Sequence, residues 1–221
     1  MIVAIVLAAG LSRRMGEPKL LLDLHGKPVI RWAVERVMPH VDDVLVVVPP
    51  DHAAIRAALS DLAVSYTTNA HPEAGQATSI AAGVRALRPG TRAAIIVLGD
   101  QPGVPDAVFA ALVATFERTA RAIVAPVYRG VRGNPVLFAA ETFEELAHVT
   151  GDAGARSVVA REATRVALVD IDAAMPEDVD TPEDYARLRS WGDDRSPPEP
   201  PPSAPSRGVR GRTRETRDGP R

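Results

Sequence analysis

Two glycines and two cations stand close together near the start of the chain. Gly10, Arg14, Gly16 and Lys19 fall within Leu7-Ala8-Ala9-Gly10-Leu11-Ser12-Arg13-Arg14-Met15-Gly16-Glu17-Pro18-Lys19. Glycine permits positive φ and close backbone approach, so such a loop can turn its N–H groups toward an anion. Arg14 and Lys19 add charge for phosphate oxygens. A basic turn between strand and helix has a similar composition, but the order Arg-Met-Gly and then Lys favours a phosphate site. The stretch is not G-x-x-x-x-G-K-[ST], because Gly16 is followed by Glu17-Pro18-Lys19, and the dinucleotide pattern G-x-G-x-x-G is missing. It reads as a looser triphosphate clamp of backbone and two long cationic side chains.

Three further segments carry residues able to do chemistry. Asn69 to Gly83 contains Gly75-Gln76-Ala77-Thr78-Ser79-Ile80, with amide and hydroxyl groups where a helix should begin. Thr78 or Ser79 would cap that helix; both cannot, which leaves a polar group for a ligand. Asp100, in Leu98-Gly99-Asp100-Gln101-Pro102-Gly103, follows a very apolar run. It is either a turn residue bonding its own backbone or a metal ligand, and a nearby phosphate loop favours the metal. The acids of Val169-Asp170-Ile171-Asp172 and Asp178-Val179-Asp180-Thr181-Pro182-Glu183-Asp184 would repel one another unless solvated or cation-bound. Most read as surface and capping residues; Asp180, just before a capped helix, is the one placed to face a site.

The elements that must position these residues alternate short apolar runs with longer amphipathic ones, the pattern of βαβ units and a mostly parallel sheet. Strands are expected at 2–8, 43–48, 63–67, 93–98, 122–128 and 164–169. The uninterrupted apolar character of 44–48 and 93–98 suits strands covered on both faces. Helices are expected at 28–38, 51–60 capped by Asp51, 78–87, 105–118 capped near Asp106, and 182–190. In the last, Thr181, Pro182 and Asp184 approach a capping box. Residues 135–147 read as an antiparallel strand followed by a helix. In such sheets ligands lie beyond the carboxyl ends of the strands, where the loop at 8–19 and Asp100 both fall.

The chain has 221 residues, enough for one domain with a sizeable core, expected over 1–191. From 192 the composition turns proline-rich and then arginine-rich, with almost nothing apolar, so 192–221 reads as a disordered tail. A net charge of −2 gives no long-range pull toward nucleic acid or anionic membrane. Without cysteine there is no disulfide framework, thiolate nucleophile or zinc–thiolate site. No apolar run suits a membrane span or a signal peptide, so a cytoplasmic location is expected. His25, His40, His52, His71 and His148 show no metal spacing, and neither G-x-S-x-G nor H-E-x-x-H occurs, which removes support for hydrolytic and zinc chemistry.

With these residues assembled, the chain resembles the nucleotidyltransferases that act on molybdopterin. The resemblance rests on Leu7-Ala8-Ala9-Gly10-x-Ser12-x-Arg14-Met15-Gly16-x-x-Lys19, Gly99-Asp100-Gln101-Pro102 and Asp180-Thr181-Pro182-Glu183-Asp184. Gly130-x-x-Gly133-Asn134-Pro135-Val136-Leu137-Phe138 and Gly151-Asp152-x-Gly154-Ala155-Arg156 add to it. It covers about residues 1–190 and is nearest to the molybdenum cofactor cytidylyltransferases.

The resemblance implies a Rossmann-like three-layer α/β sandwich of the nucleotide-diphospho-sugar transferase type. It also implies transfer of a nucleoside monophosphate to an acceptor phosphate with loss of pyrophosphate. By this analogy Leu7, Ala8, Ala9 and Gly10 line the nucleotide, Arg14 and Lys19 hold the triphosphate, and Gln76 and Ser79 touch the base. Asp100 holds Mg²⁺ with Asp180 as second carboxylate, and Arg14, Lys19 and Asp100 form the catalytic set. Asn134, where relatives usually carry His, and Arg156 face the acceptor. Guanylyl-transferring relatives usually have Gly-Gly where this chain has Ala9-Gly10, so the implied donor is CTP. The implied partners are CTP, a molybdopterin-type acceptor, and transient contact with a molybdoenzyme or its chaperone. Guanylyl or other nucleotidyl transfer to a different phosphate, an NAD(P)H-dependent oxidoreductase and a non-catalytic nucleotide-binding module are the alternatives; Asp100 and Asp180, without purpose beside a metal-free nicotinamide, argue against the second, and retention of both cations and both carboxylates against the third.

Overall fold

A computed structural model describes residues 1–12, 14–151, 154–161 and 163–190. The expected tail at 192–221 therefore lies outside the described residues. In chain order the strands are β1 (Ile2–Leu7), β2 (Asp23–Leu24), β3 (Lys27–Pro28), β4 (Asp43–Val48), β5 (Ser65–Thr68), β6 (Ala93–Leu98), β7 (Ile123–Tyr128), β8 (Val131–Arg132), β9 (Val136–Ala139) and β10 (Val166–Ile171). The helices are α1 (Val29–Val37), α2 (Ala53–Ala58), α3 (Gln76–Arg85), α4 (Asp106–Thr119), α5 (Phe143–Ala147), α6 (Arg156–Arg161) and α7 (Pro182–Arg189).

One sheet runs in the order β10-β7-β9-β6-β1-β4-β5, with β8 paired to β7. β9 is antiparallel to both β6 and β7, and β8 is antiparallel to β7; the other pairings are parallel. This is the expected α/β class with a mostly parallel sheet. The strand-and-helix reading of 135–147 corresponds to β9 and α5. The β2–β3 hairpin and α6 had no counterpart in the sequence expectations, and their shortness explains why: two-residue strands and a six-residue helix carry too few residues for a period to register.

Side-chain alternation along β1 divides the core into two layers. Ala4 and Val6 pack with Ile30 and Val34 of α1, Ile55 of α2 and Phe109 and Leu112 of α4. Ile5 and Leu7 pack on the opposite face with Ile80 and Val84 of α3, Leu146 of α5 and Val158 of α6. All six residues of β1 are buried, as suits a strand covered on both faces. A third small cluster of Leu24, Val29, Val179 and Leu188 ties α7 to the β2–β3 hairpin. Among the described residues no helix is long and apolar enough to cross a membrane.

Helix caps diverge from expectation except at α7. There Thr181 accepts from the Asp184 backbone and Asp184 accepts from the Thr181 backbone, completing a capping box. α2 begins after His52 rather than Asp51, and α4 begins after Pro105, with Asp106 inside its first turn and no side-chain cap. α3 begins at Gln76 after Gly75, so neither Thr78 nor Ser79 is its cap. Gly75 has φ +100°, a conformation open to glycine, and backbone geometry sets that helix start in place of a hydroxyl.

Candidate active site

β1 pairs with β4 on one side and β6 on the other, so chain direction across the sheet reverses between them. The carboxyl ends of β1 and β6 therefore border a crevice, and the loops leaving them carry the basic Gly10–Lys19 stretch and Asp100. Gly99 makes this approach possible. Its N–H donates to Leu7 O at 3.0 Å, and a Cβ there would stand 2.8 Å from that same oxygen. A larger residue would push the Asp100 turn away from the loop.

Within the loop, Ala8 and Ala9 are buried and Gly10 is exposed. Gly16 takes the expected positive φ, at +73°, but Gly10 does not; Ser12 adopts the left-handed conformation instead, at +50°. The Ser12 hydroxyl accepts from the Lys19 N–H at 3.3 Å, closing the loop on itself.

Lys19 is the hub. Its Nζ donates to Asp100 Oδ2 at 2.5 Å and to Asp180 Oδ1 at 2.7 Å, and its side chain is only 11% exposed. Arg14, largely exposed, reaches Asp180 Oδ2 at 3.0 Å. Burial alone would lower the Lys19 pKa, but Asp100 and then Asp180 outweigh it and hold the ammonium above its ordinary value.

Asp180 is placed by neighbours on both sides. Val179 is fully buried and its N–H donates to Asp100 O at 2.9 Å. The Asp180 N–H donates to Asp184 Oδ2 at 3.3 Å, as does that of Thr181 at 2.8 Å. The capping box of α7 thus also fixes the metal-candidate carboxylate.

Clefts open on the hub and on the loop beside it. One of about 390 Å³ is lined by Gly10, Ser12, Arg14, Lys19, Gln76 and Asp180. A second of about 490 Å³ has Gln76, Asp100, Gln101, Asn134, Arg156 and Asp180 in its walls. Gln76 and Asp180 belong to both, so the two clefts meet at the hub. A third of about 210 Å³ lies between Ala8, Gly10 and Ser12 and the start of α2.

The structure brings Gly10, Arg14, Lys19, Gln76, Asp100 and Asp180 together, with Ala8 and Ala9 beneath them and Leu7 ending the strand below. Asn134 and Arg156 face the second cleft. The Asn134 carbonyl accepts from Tyr128 Oη at 2.7 Å, and Gly133 lies on the Tyr128 ring, where a Cβ would be 2.9 Å from a ring carbon. Ser79 is turned elsewhere: it is buried, accepts from Asn69 Nδ2 at 2.9 Å and lines none of the three clefts. Thr78 accepts from the same amide at 2.8 Å, so both hydroxyls hold the 69–71 loop. Among the described residues the Gln76 amide, at the same helix start, has no hydrogen-bond partner and lines two of the clefts.

Two residues of the second cleft were not singled out from sequence. Asp178 and Gln101 both line it. Asp178 is accessible as a residue, yet packing around its carboxyl pushes the pKa up to about 6; burial is the main cause and repulsion from Asp100 comes next. Its acid-rich surroundings offered no way to tell it from surface neighbours.

Among the described residues no group of three or more His, Cys, Asp and Glu is arranged to hold a metal. Asp100 and Asp180 converge on one cationic atom, and two carboxylates are the donor set Mg²⁺ takes when phosphate oxygens and water complete its shell. The residues present therefore fit a divalent cation arriving with a nucleotide.

A doubly wound sheet, a basic loop at its switch point and paired carboxylates beside it define a nucleotide-handling transferase. The chain belongs to the MobA-like NTP transferase domain family, matched over residues 4–166. It is 30% identical to the purine catabolism protein PucB of Bacillus subtilis, over 85% of this chain and 96% of that one. It is also 30% identical to a molybdenum cofactor guanylyltransferase of Cereibacter sphaeroides, over 84% and 94%. Its fold matches Rv0371c of Mycobacterium tuberculosis H37Rv at a TM-score of 0.76 and 28% identity, covering 86% of this chain and 97% of that one. A complex of Rv0371c with manganese matches at a TM-score of 0.72, with 28% identity over 85% and 97% of the two chains. A nucleotidyl transferase from Methanothermobacter matches at 0.71, with 27% identity over 86% and 96%. The protein is a nucleotidyltransferase.

Proposed function

We propose that this enzyme moves CMP from CTP to the phosphate of a molybdopterin-type acceptor, releasing pyrophosphate, with Mg²⁺ as the metal. One observation carries the reading: Lys19, bridging Asp100 and Asp180, stands where the phosphate-loop cleft and the second cleft meet. A donor triphosphate in the first cleft and an acceptor phosphate in the second would confront each other there.

The acceptor oxygen attacks the α-phosphorus, the α–β phosphoanhydride bond breaks, and the electron pair leaves with pyrophosphate. A phosphate monoester is already an anionic nucleophile near neutral pH, so no general base is needed. Lys19 and Arg14 neutralise the departing pyrophosphate, while the backbone from Ala8 to Gly10 cradles the nucleotide. When bound, Mg²⁺ held by Asp100 and Asp180 supplies further positive charge at the phosphates. The manganese complex of Rv0371c supports a divalent cation in this fold.

Cytosine is the proposed base because Ala9 stands where guanylyl-transferring relatives usually have glycine. GTP is the second reading, favoured by the guanylyltransferase name of the Cereibacter relative. Asn134 and Arg156 are proposed to bind the acceptor, and Gln76 the nucleotide. A cytoplasmic setting and transient contact with a molybdoenzyme or its chaperone complete the proposal. The test is pyrophosphate release from CTP and from GTP, with Mg²⁺, with and without molybdopterin. Release that requires acceptor and prefers CTP is expected; acceptor-dependent release with GTP alone moves the assignment to guanylyl transfer, and no release with either rejects it.

A further inference from the structure

The carboxylate oxygens of Asp100 and Asp180 already have cations on them. Lys19 Nζ donates to Asp100 Oδ2 at 2.5 Å and to Asp180 Oδ1 at 2.7 Å, and the Arg14 guanidinium stands 3.0 Å from Asp180 Oδ2. Among the described residues, Asp100 Oδ1 is the one oxygen of these two carboxylates with no cationic partner. The two cations thus match the two carboxylates in charge. The lysine contact is shielded, with its side chain 11% exposed against 72% for Arg14. The carboxylates are also held where they are: Val179 N–H donates to Asp100 O at 2.9 Å, and the Asp180 N–H to Asp184 Oδ2 at 3.3 Å.

A divalent cation on these carboxylates competes with Lys19 for them. Mg²⁺ sits about 2.1 Å from a carboxylate oxygen, so a metal on Asp100 Oδ2 lies within about 4.6 Å of an ammonium that is itself 2.5 Å from that oxygen. Charges of +1 and +2 repel strongly at that range in a shielded site. Lys19 must therefore leave before the metal enters, and by leaving alone it would lose acceptors on two sides. A triphosphate removes the obstacle. Lys19 and Arg14 also line the cleft of about 390 Å³, where phosphate oxygens would offer both cations new acceptors. The exchange needs no backbone movement, since the Lys19 N–H can stay on Ser12 Oγ while the side chain changes rotamer.

We infer that Lys19 is a stand-in cation: its ammonium keeps a divalent metal off Asp100 and Asp180 until a nucleoside triphosphate draws it away, so that metal and nucleotide fill the site as an obligate pair. The inference rests on the proposed nucleotide cleft and carboxylate pair, and adds the order in which they fill.

Mn²⁺ binding, followed by loss of the free-ion EPR signal with neither nucleotide nor acceptor present, tests this apart from turnover. The wild-type protein is expected to bind no more Mn²⁺ than Asp100→Ala does. Lys19→Met keeps the stem without the charge and is expected to bind Mn²⁺ at least about tenfold more tightly than wild type. With CTP added, and Mn²⁺–CTP alone as the blank, the wild-type protein is expected to enhance water-proton relaxation and Asp100→Ala is not. Wild-type Mn²⁺ binding without nucleotide that Asp100→Ala loses overturns the inference, whether or not the lysine variant folds. A folded Lys19→Met that binds Mn²⁺ no better than wild type overturns it too, as does the lack of any enhancement with both CTP and GTP. Pyrophosphate release is read separately, so nucleotidyl transfer to a molybdopterin-type acceptor can fail while the exclusion of metal by Lys19 holds, and the reverse.

Discussion

Lys19 and Asp100 lie 81 residues apart in the chain and meet at 2.5 Å, and the same ammonium stands 2.7 Å from Asp180, 161 residues away. One cation thus joins the loop after β1, the end of β6 and the segment before α7. The contact is largely shielded on the lysine side, where electrostatic interactions are stronger than at an open surface. Lys19→Ala is expected to lower kcat by about a hundred- to a thousandfold, or about 2–4 kcal/mol, the range for removing one preorganised donor. Near-normal turnover in a steady-state pyrophosphate assay rejects that role.

Asp100→Ala is expected to abolish most turnover, with a loss of about a hundredfold or more, because a carboxylate of the proposed cation site goes. Asp180→Ala should behave similarly, and the double variant should be little worse than either, since both act on one group of charges. Chelation of divalent cations should stop the reaction and added Mg²⁺ restore it. Full activity in excess EDTA, or strictly additive losses, speaks against a shared site.

Ala9 is 2% exposed in the loop after β1, where the proposed nucleotide site begins. Ala9→Gly is expected to raise kcat/KM for GTP relative to CTP by opening the space its methyl group occupies. Competition between the two nucleotides reads this directly. An unchanged ratio removes Ala9 as the selector.

Asp184 joins helix stability to site geometry, since it accepts from the backbones of Asp180 and Thr181 and from the Thr181 hydroxyl. Burial alone would raise its pKa, but these hydrogen bonds and Arg187 prevail and hold it below the ordinary value of 3.8. A carboxyl with a depressed folded-state pKa contributes stability that is fully present above 3.8 and is lost as pH falls below it. Asp184→Ala is therefore expected to lower stability near neutral pH by about 1 kcal/mol and to flatten the acid limb of the melting curve. Activity should fall by more than the unfolded fraction explains, because Asp180 loses its anchor. Thermal melts from pH 3 to 7 and kcat on the folded protein separate the two effects.

A chain ended after Ser190 is proposed to keep wild-type turnover, because every residue of the candidate site precedes that point. A large loss of kcat in the shortened protein would show that 191–221 contributes to catalysis.

The local chain already determined much of this protein. The apolar runs of β1 and β6 name themselves as buried strands, since a strand covered on both faces needs no polar alternation. The spacing of Gly10, Arg14, Gly16 and Lys19 is what suggests the proposed phosphate loop, and Thr181-Pro182-Glu183-Asp184 marks a capped helix start; both depend on neighbours within a few residues. Only the tertiary structure decided which long-range partners meet. It threaded β9 antiparallel between β6 and β7, closed Lys19 on Asp100 and Asp180, and turned Ser79 inward to Asn69 while leaving Gln76 at the cleft. Gln101 and Asp178 were invisible as a pair for the same reason. That residues this far apart in the chain line one cleft depends on how β6 and the segment before α7 pack together, and no local pattern encodes it.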